Sequence, residues 1–374
     1  MERVAVVQKV HEREGMGVGL RLCQAYFMAV LAGALGYALV TAPGDFAYDF
    51  SLVHGFVMAA MTCVTIWLMQ KRAVEARTFA IGTAIACTAL SVADMFMFGA
   101  FDVVAARFGA ALTAGVLSAQ YSAAAATVTY LAVSQRARSV LSQPYDHRPY
   151  ATMGHSYDMP LKQRARTWVF WRDLMIYFIV FSFMGHWAEM LFCYNIYTGL
   201  FMGDVDFSEV MLWKQWLFPY CAEGVAVVLI AVVLTPVKQW LLKRFDAIGP
   251  DGRYRVKRLV PAVLVSIAVT AVVCTTIDFT CGMICNQNYE VWDYRAIPFN
   301  FMGQVCLQNS TVYTVAASLI LWVFYPLMDR GLRRLPRATA DGLFFALLGI
   351  YAFSALLHFM YVDATGLVVG DFEM

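Results

Sequence analysis

Of the 28 Lys and Arg residues, all but Arg107, Lys214 and Arg295 fall in alternate gaps between long apolar stretches. One set of gaps holds Arg3 to Arg21, then Lys71 to Arg77, Arg136 to Arg172, Lys238 to Arg258, and Arg330 to Arg337. The other gaps are acidic, with Asp45, Asp49, Asp102, Asp204, Asp206, Glu209, Glu290 and Asp293, and the tail adds Asp363, Asp371 and Glu373. Basic loops stay on the cytoplasmic side of a membrane. The pattern therefore predicts an all-α integral membrane protein of about nine transmembrane helices, N-terminus in and C-terminus out. Hydrophobic residues make up 60% and charged residues 14%, against roughly 25% charged in a soluble domain. A net charge of +2 confined to loops argues against nucleic acid as a partner.

A bilayer-crossing helix needs about 20 mostly apolar residues, and open strands would leave backbone groups unpaired in lipid. The expected spans are 18–40, 51–70, 78–99, 107–133, 172–195, 214–236, 259–282, 303–326 and 341–362. They divide into a four-helix region at 1–134, a basic cytoplasmic linker at 135–171, a core at 172–330 and a final helix with its tail at 331–374. Pro144, Pro149 and Pro160 mark the linker, and Gly249-Pro250-Asp251-Gly252 signals a turn in a later inner loop. Small residues recur every four positions at Ala25, Ala29 and Gly33 and at Ala111, Gly115, Ala119 and Ala123. Such stripes permit close helix contact.

A charge at the bilayer centre costs about 2.5–3.5 kcal/mol on insertion scales, so an ionisable residue there calls for a reason. The spans carry Asp94, His186, Glu189, Glu223, Asp278 and His358. Ser182, His186, Glu189 and Cys193 share one helical face by their 4-3-4 spacing, as do Cys274, Asp278, Cys281 and Cys285. One metal cannot use the second set, whose ends lie about 16 Å apart at 1.5 Å per residue. The cysteines read as small buried side chains, and Asp94 as a satisfied interior hydrogen-bonding group. Glu189, Glu223 and Asp278 differ, because three helices each offer one carboxylate and no Lys or Arg lies deep in any span. Such groups repel one another unless a cation or a proton comes between them.

After the seventh span the chain reads Trp292-Asp293-Tyr294-Arg295-Ala296-Ile297-Pro298-Phe299-Asn300-Phe301-Met302-Gly303. This resembles the W-D-Y-x-x-x-P-x-N-x-x-G segment of a bacterial membrane family, the CmpB-like ABC transporters of type IV. Gly185-His186-Trp187-Ala188-Glu189 resembles the family's G-W-x-x-E helix, with the tryptophan offset by one. Thr275-Thr276-Ile277-Asp278-Phe279 resembles its T-x-x-E-Y, with Asp for Glu and Phe for Tyr. Pro219-Tyr220-Cys221-Ala222-Glu223-Gly224 stands where the family tends to have P-I-Y-G-x-G. The likeness covers about 172–330. It implies a membrane-embedded transport component of the bacterial cytoplasmic membrane, with any ATPase a separate subunit on the cytoplasmic face.

The expectation is a permease-type component whose outward-facing acidic cavity takes a cationic or proton-coupled solute. Its binding residues would be Glu189, Glu223, Asp278, His186, Trp292, Asp293, Tyr294 and Asn300, with the loop from Trp292 to Gly303 as a lid. Trp292 and Tyr294 suit the membrane interface, and Asn300 suits the cap of the helix that follows. No catalytic residue, metal or cofactor is expected. Two alternatives stand: an integral membrane enzyme acting on a lipid or lipid-linked substrate, and a non-catalytic sensor or assembly partner. Against the enzyme, the spans hold no HExxH, no DxD-type pair and no His-rich cluster.

Overall fold

The structure, a computed structural model, describes residues 15–40, 46–97, 99–143, 165–203, 221–249, 254–289 and 292–365, with side chains omitted at 37–53 and 358–365. The proline-marked part of the linker, the Gly249–Gly252 turn from Pro250 on, most acidic residues of the outer gaps, and the side chain of His358 lie outside that description. Eight of the described helices are long and apolar enough to cross a membrane, and His54–Gln70 is a shorter apolar one. The chain is an all-α, multi-pass membrane protein, and it divides into two compact units.

The first unit joins Met1–Arg148 to Pro336–Ala364. It contains α1 (Gly17–Val40), α2 (Phe46–Gln70), α3 (Glu75–Met97), α4 (Ala100–Phe108), α5 (Ala110–Val133), α6 (Gln135–Val140) and the final helix, Arg337–Thr365. That final helix packs on α2 through two glycines. The Phe353 ring covers Gly55, and a Cβ on Gly349 would meet Cys63 Sγ at 2.7 Å and the Ala59 carbonyl at 2.8 Å. Trp67 stacks on Phe345 with ring centroids 5.1 Å apart.

The small-residue stripes of α1 and α5 do not close on each other. Ala25, Ala29 and Gly33 line a groove of about 650 Å³ opposite Ala119 and Ala123, and Gly33 and Gly115 have nothing within 4 Å of a notional Cβ. The Tyr130 ring, set over Gly19, takes up the space between the helices at their nearer end. Asp94 meets the sequence expectation of a satisfied interior group. A π-turn at Ala93–Met97 carries it, and its Oδ1 lies 2.6 Å from His54 Nδ1 on α2.

The second unit joins Pro149–Leu335 to Thr365–Met374. Its helices are α7 (Trp168–Tyr197), α8 (Cys221–Arg244), α9 (Val256–Cys285) and α10 (Leu307–Arg334), and the final helix is numbered α11. Between α9 and α10 stands a two-residue hairpin, β1 (Asn300–Phe301) against β2 (Val305–Cys306). α7 and α8 approach closely because each offers a glycine to the other. A Cβ on Gly224 would meet Ser182 Oγ at 2.4 Å and the Phe178 carbonyl at 2.7 Å.

α8 and α10 each widen into a π-turn, at Ile230–Leu234 and Ile320–Phe324, closed by Thr235 N–H to the Ile230 carbonyl and Tyr325 N–H to the Ile320 carbonyl. Each is followed by a proline, Pro236 or Pro326. A proline inside a helix has no N–H to give and crowds the carbonyl four residues back, which here belongs to Val232 or Trp322. One extra residue in the turn relieves that crowding. The two π-turns pack together, with Leu234, Ala317 and Leu321 in one apolar cluster.

Two basic residues read as loop cations are buried. Arg172 is 1% exposed and Lys238 9%. Hydropathy falls at the first charge, but the helices run on: α8 reaches Arg244 and α10 Arg334. Lys238 Nζ donates to the Leu321 carbonyl at 3.0 Å and lies 4.3 Å from the Trp322 ring centre. Arg172 donates through Nε to Asp173 Oδ1 at 2.9 Å, and Arg333 pairs with Asp329 at 2.6 Å. These four charges and Tyr177 line a cavity of about 30 Å³.

Candidate functional site

Glu189, Glu223 and Asp278 come from three helices, α7, α8 and α9, and share one neighbourhood. The charged groups that act on Glu189 are Glu223 and Asp278. Cys274 lies in the field of both Asp278 and Glu223, and Cys193 in that of Glu189. Gly185 admits Glu223 to this place: the Glu223 Cβ and Cγ lie 2.1 and 2.2 Å from where a Cβ on Gly185 would stand. Asp278 Oδ2 is buried with no hydrogen-bond partner. Among the described residues no three His, Cys, Asp or Glu side chains are grouped to hold a metal ion.

The face read on α7 is a buried one: Ser182 and His186 are 0% exposed and Cys193 is 7%. The corresponding face of α9 runs outward at its end, since Cys281 and Cys285 are exposed.

The loop between α9 and α10 folds back over the ends of those helices. Asn286 and Gln304, 1% and 2% exposed, form its inner lock. Gln304 Nε2 donates to the Asn286 carbonyl at 2.8 Å, and Asn286 Nδ2 donates to Gln304 Oε1 at 3.2 Å. Gly282 makes room for this lock, because a Cβ there would fall 2.4 Å from Gln304 Oε1. Trp292 Nε1 donates to the Gln304 carbonyl at 3.0 Å, and Asn286 Nδ2 to the Trp292 carbonyl at 2.6 Å. Asp293 accepts from Arg295 Nε and Nη2 at 2.9 and 2.6 Å. These bonds hold the Asp293 carboxyl below the usual carboxylate range.

Tyr294 is the residue of this loop that joins the acids. Its N–H donates to the Gly303 carbonyl at 3.0 Å, and its hydroxyl accepts from Asn309 Nδ2 at 2.6 Å. Burial raises its hydroxyl pKa, and the nearby charges of Asp278 and Glu189 add to the effect.

Asn300 does not cap the next helix. It sits in β1 and braces the turn, donating through Nδ2 to the Ile297 carbonyl at 2.8 Å and accepting from Gly303 N–H at 3.2 Å. The cap of α10 is Cys306, whose sulfur accepts from Asn309 N–H at 3.5 Å. The hairpin intervenes between Asn300 and the helix, so the helix starts at Leu307. Of the eight residues singled out in the sequence, the structure thus groups Glu189, Glu223, Asp278 and Tyr294. His186 is buried on α7, and Trp292, Asp293 and Asn300 brace the loop.

Sequence reasoning passed over Tyr313, which lies within electrostatic reach of Glu189, Glu223, Asp278 and Tyr294. Its signal was present: the run Gln308-Asn309-Ser310-Thr311 opens an otherwise apolar span. Asn309 and Gln308 belong to the same run. Gln308 exchanges two 3.0 Å bonds with the Met202 backbone and so ties the end of α7 to the start of α10.

Residues 176–359 match the model of a family described as "Putative ABC-transporter type IV". The match begins inside α7 and ends inside α11, so it runs past 330 into the final helix, beyond the extent read from the motifs. No curated protein and no solved structure gives a match.

Proposed function

We propose that the chain is the permease-type subunit of a transport system, and that Glu189, Glu223 and Asp278 line its acidic, outward-facing binding cavity for a cationic or proton-coupled solute. The family match and the eight apolar helices support the membrane transporter component. The single observation that carries the cavity is the meeting of three carboxylates from three helices in one field, with Asp278 Oδ2 buried and unpartnered. A low-dielectric site that gathers like charges gains by admitting an opposite one. Tyr294 and Tyr313 add aromatic and hydroxyl groups beside the acids, and the loop that carries Tyr294 serves as the lid.

By the distribution of basic residues, the end of the second unit that carries Lys243, Arg244, Lys257, Arg258, Arg330 and Arg334 faces the cytoplasm of a bacterium. A separate ATPase docks on that basic face, or an ion gradient supplies the energy. Uptake of candidate cations in cells carrying Glu189→Gln with Asp278→Asn tests the carboxylate role. A loss of at least tenfold at normal membrane levels is expected, and undiminished uptake rejects the role.

A further inference from the structure

The hairpin between α9 and α10 returns along α9 towards the bilayer. The Phe301 ring lies 5.3 Å from that of Phe279, and Gln304 sits against Gly282, so the hairpin reaches the last two turns of a helix that continues to Cys285. Phe279 lies about 30 Å along α9 from Arg258, at 1.5 Å per residue. A hydrocarbon core is about 30 Å thick. With Arg258 at one boundary, Phe279 and Phe301 stand at the other.

At that depth the hairpin presents an apolar tip. Phe299 is 82% exposed, Phe301 61% and Met302 54%. Phe299 and Met302 hold positive φ angles of 57° and 54°, an uncommon backbone for such side chains, and Tyr289 Oη fixes the turn by donating to the Met302 carbonyl at 3.1 Å. The charged part of the loop is set apart. Arg295 pairs with Asp293 and lies 4.3 Å from the Tyr289 ring centre. The aromatic side chains expected at the interface, Trp292 and Tyr294, are instead turned inward on Gln304 and Asn309.

We propose that the tip formed by Phe299, Phe301 and Met302 is a lipid-contacting surface. It lies in the headgroup–acyl boundary of the leaflet opposite the basic loops, with the Asp293–Arg295 pair at headgroup level. Non-helical backbone is tolerated at such depth when its polar groups are paired within the protein. The hairpin and the Asn286–Gln304 lock provide that pairing. Apolar rings beside an arginine suit the boundary layer. The tip belongs to the same loop as Tyr294, and lipid contact there does not depend on which solute the acids take.

The test uses the full chain in vesicles containing radiolabelled phospholipid, with photoreactive benzoylphenylalanine replacing Phe299, Phe301 or Met302 in turn and Asp293 as the control position. Irradiation should attach labelled lipid at the three tip positions at least fivefold more than at Asp293. Three separate positions keep one misfolded variant from deciding the result. Equal labelling at tip and control, adducts to protein alone, or no adduct at any tip position would overturn the assignment.

Discussion

Glu223 lies with its Cβ and Cγ against the bare backbone of Gly185, at 2.1 and 2.2 Å from the place a methyl group on that glycine would take. The contact involves the near end of the glutamate and leaves it little freedom to yield. Gly185→Ala should force α7 and α8 apart and cost about 1–3 kcal/mol, the usual range for overpacking. Thermal unfolding in detergent checks the loss. Restoration by Glu223→Gly in the same chain, which alone removes the Cβ as well as the Cγ, would identify the clash as its cause.

Tyr294→Phe removes the acceptor for Asn309 Nδ2 and keeps the ring. Leaving that donor unpaired should cost about 1–3 kcal/mol. The double variant with Asn309→Leu should recover part of it. Hydrogen exchange of the backbone from 292 to 306 is the measurement, and unchanged exchange in Tyr294→Phe would show that the bond does not hold the loop.

The Asp293–Arg295 pair gives the loop a pH dependence of definite sign. The Asp293 carboxyl is held below its ordinary value by hydrogen bonds from Arg295. The stabilisation is therefore complete above the ordinary Asp pKa and disappears as pH falls through the depressed one. Limited proteolysis of the loop should accelerate in that acid window, and Asp293→Asn should show fast cleavage at every pH. Exposure of both groups keeps the effect small.

Lys238 caps the Leu321 carbonyl and rests on Trp322. Lys238→Met fills the space but leaves the carbonyl bare, at a cost of about 1–3 kcal/mol. Lys238→Arg should lose less, because a guanidinium can still donate and still lie on the ring. Chemical denaturation of the two variants side by side distinguishes them.

His54 and Asp94 form a buried contact in the first unit. A double-mutant cycle with His54→Ala and Asp94→Ala should return a coupling of about 1–3 kcal/mol. A value near zero would mean that each residue is held by other groups.

Much of this architecture is legible in the amino-acid sequence. Alternating basic gaps located the helices because a charge outside the apolar layer costs little and one inside costs much. The same reasoning misplaced Arg172 and Lys238. Hydropathy reports where apolar side chains stop, but a helix continues past that point, and a long cation can bury its stem and find a carbonyl. Three acids on three spans were visible as candidates through their cost alone. That Gly185 is bare so that Glu223 can lie on it was not visible, since a glycine's neighbour is a fact of tertiary packing. Asn300 was read as a helix cap from its place before an apolar run. A three-residue connection hidden in that run, Met302 to Gln304, makes a hairpin, and two such short strands leave no periodic signature. Tyr313 was missed because one tyrosine in an apolar span looks like packing. His54, partner of Asp94, was missed for the same reason.

The π-turn in α8 sets the azimuth of an acid two turns away from it. Removing any one amino acid from Ile230–Leu234 would return α8 to an ordinary helical count and rotate its outer segment by about 100° relative to its inner one. Glu223 would then swing off Gly185 while Lys238 kept its grip on Leu321. Pro236, which requires the extra residue, thus governs the aim of a carboxylate it never touches.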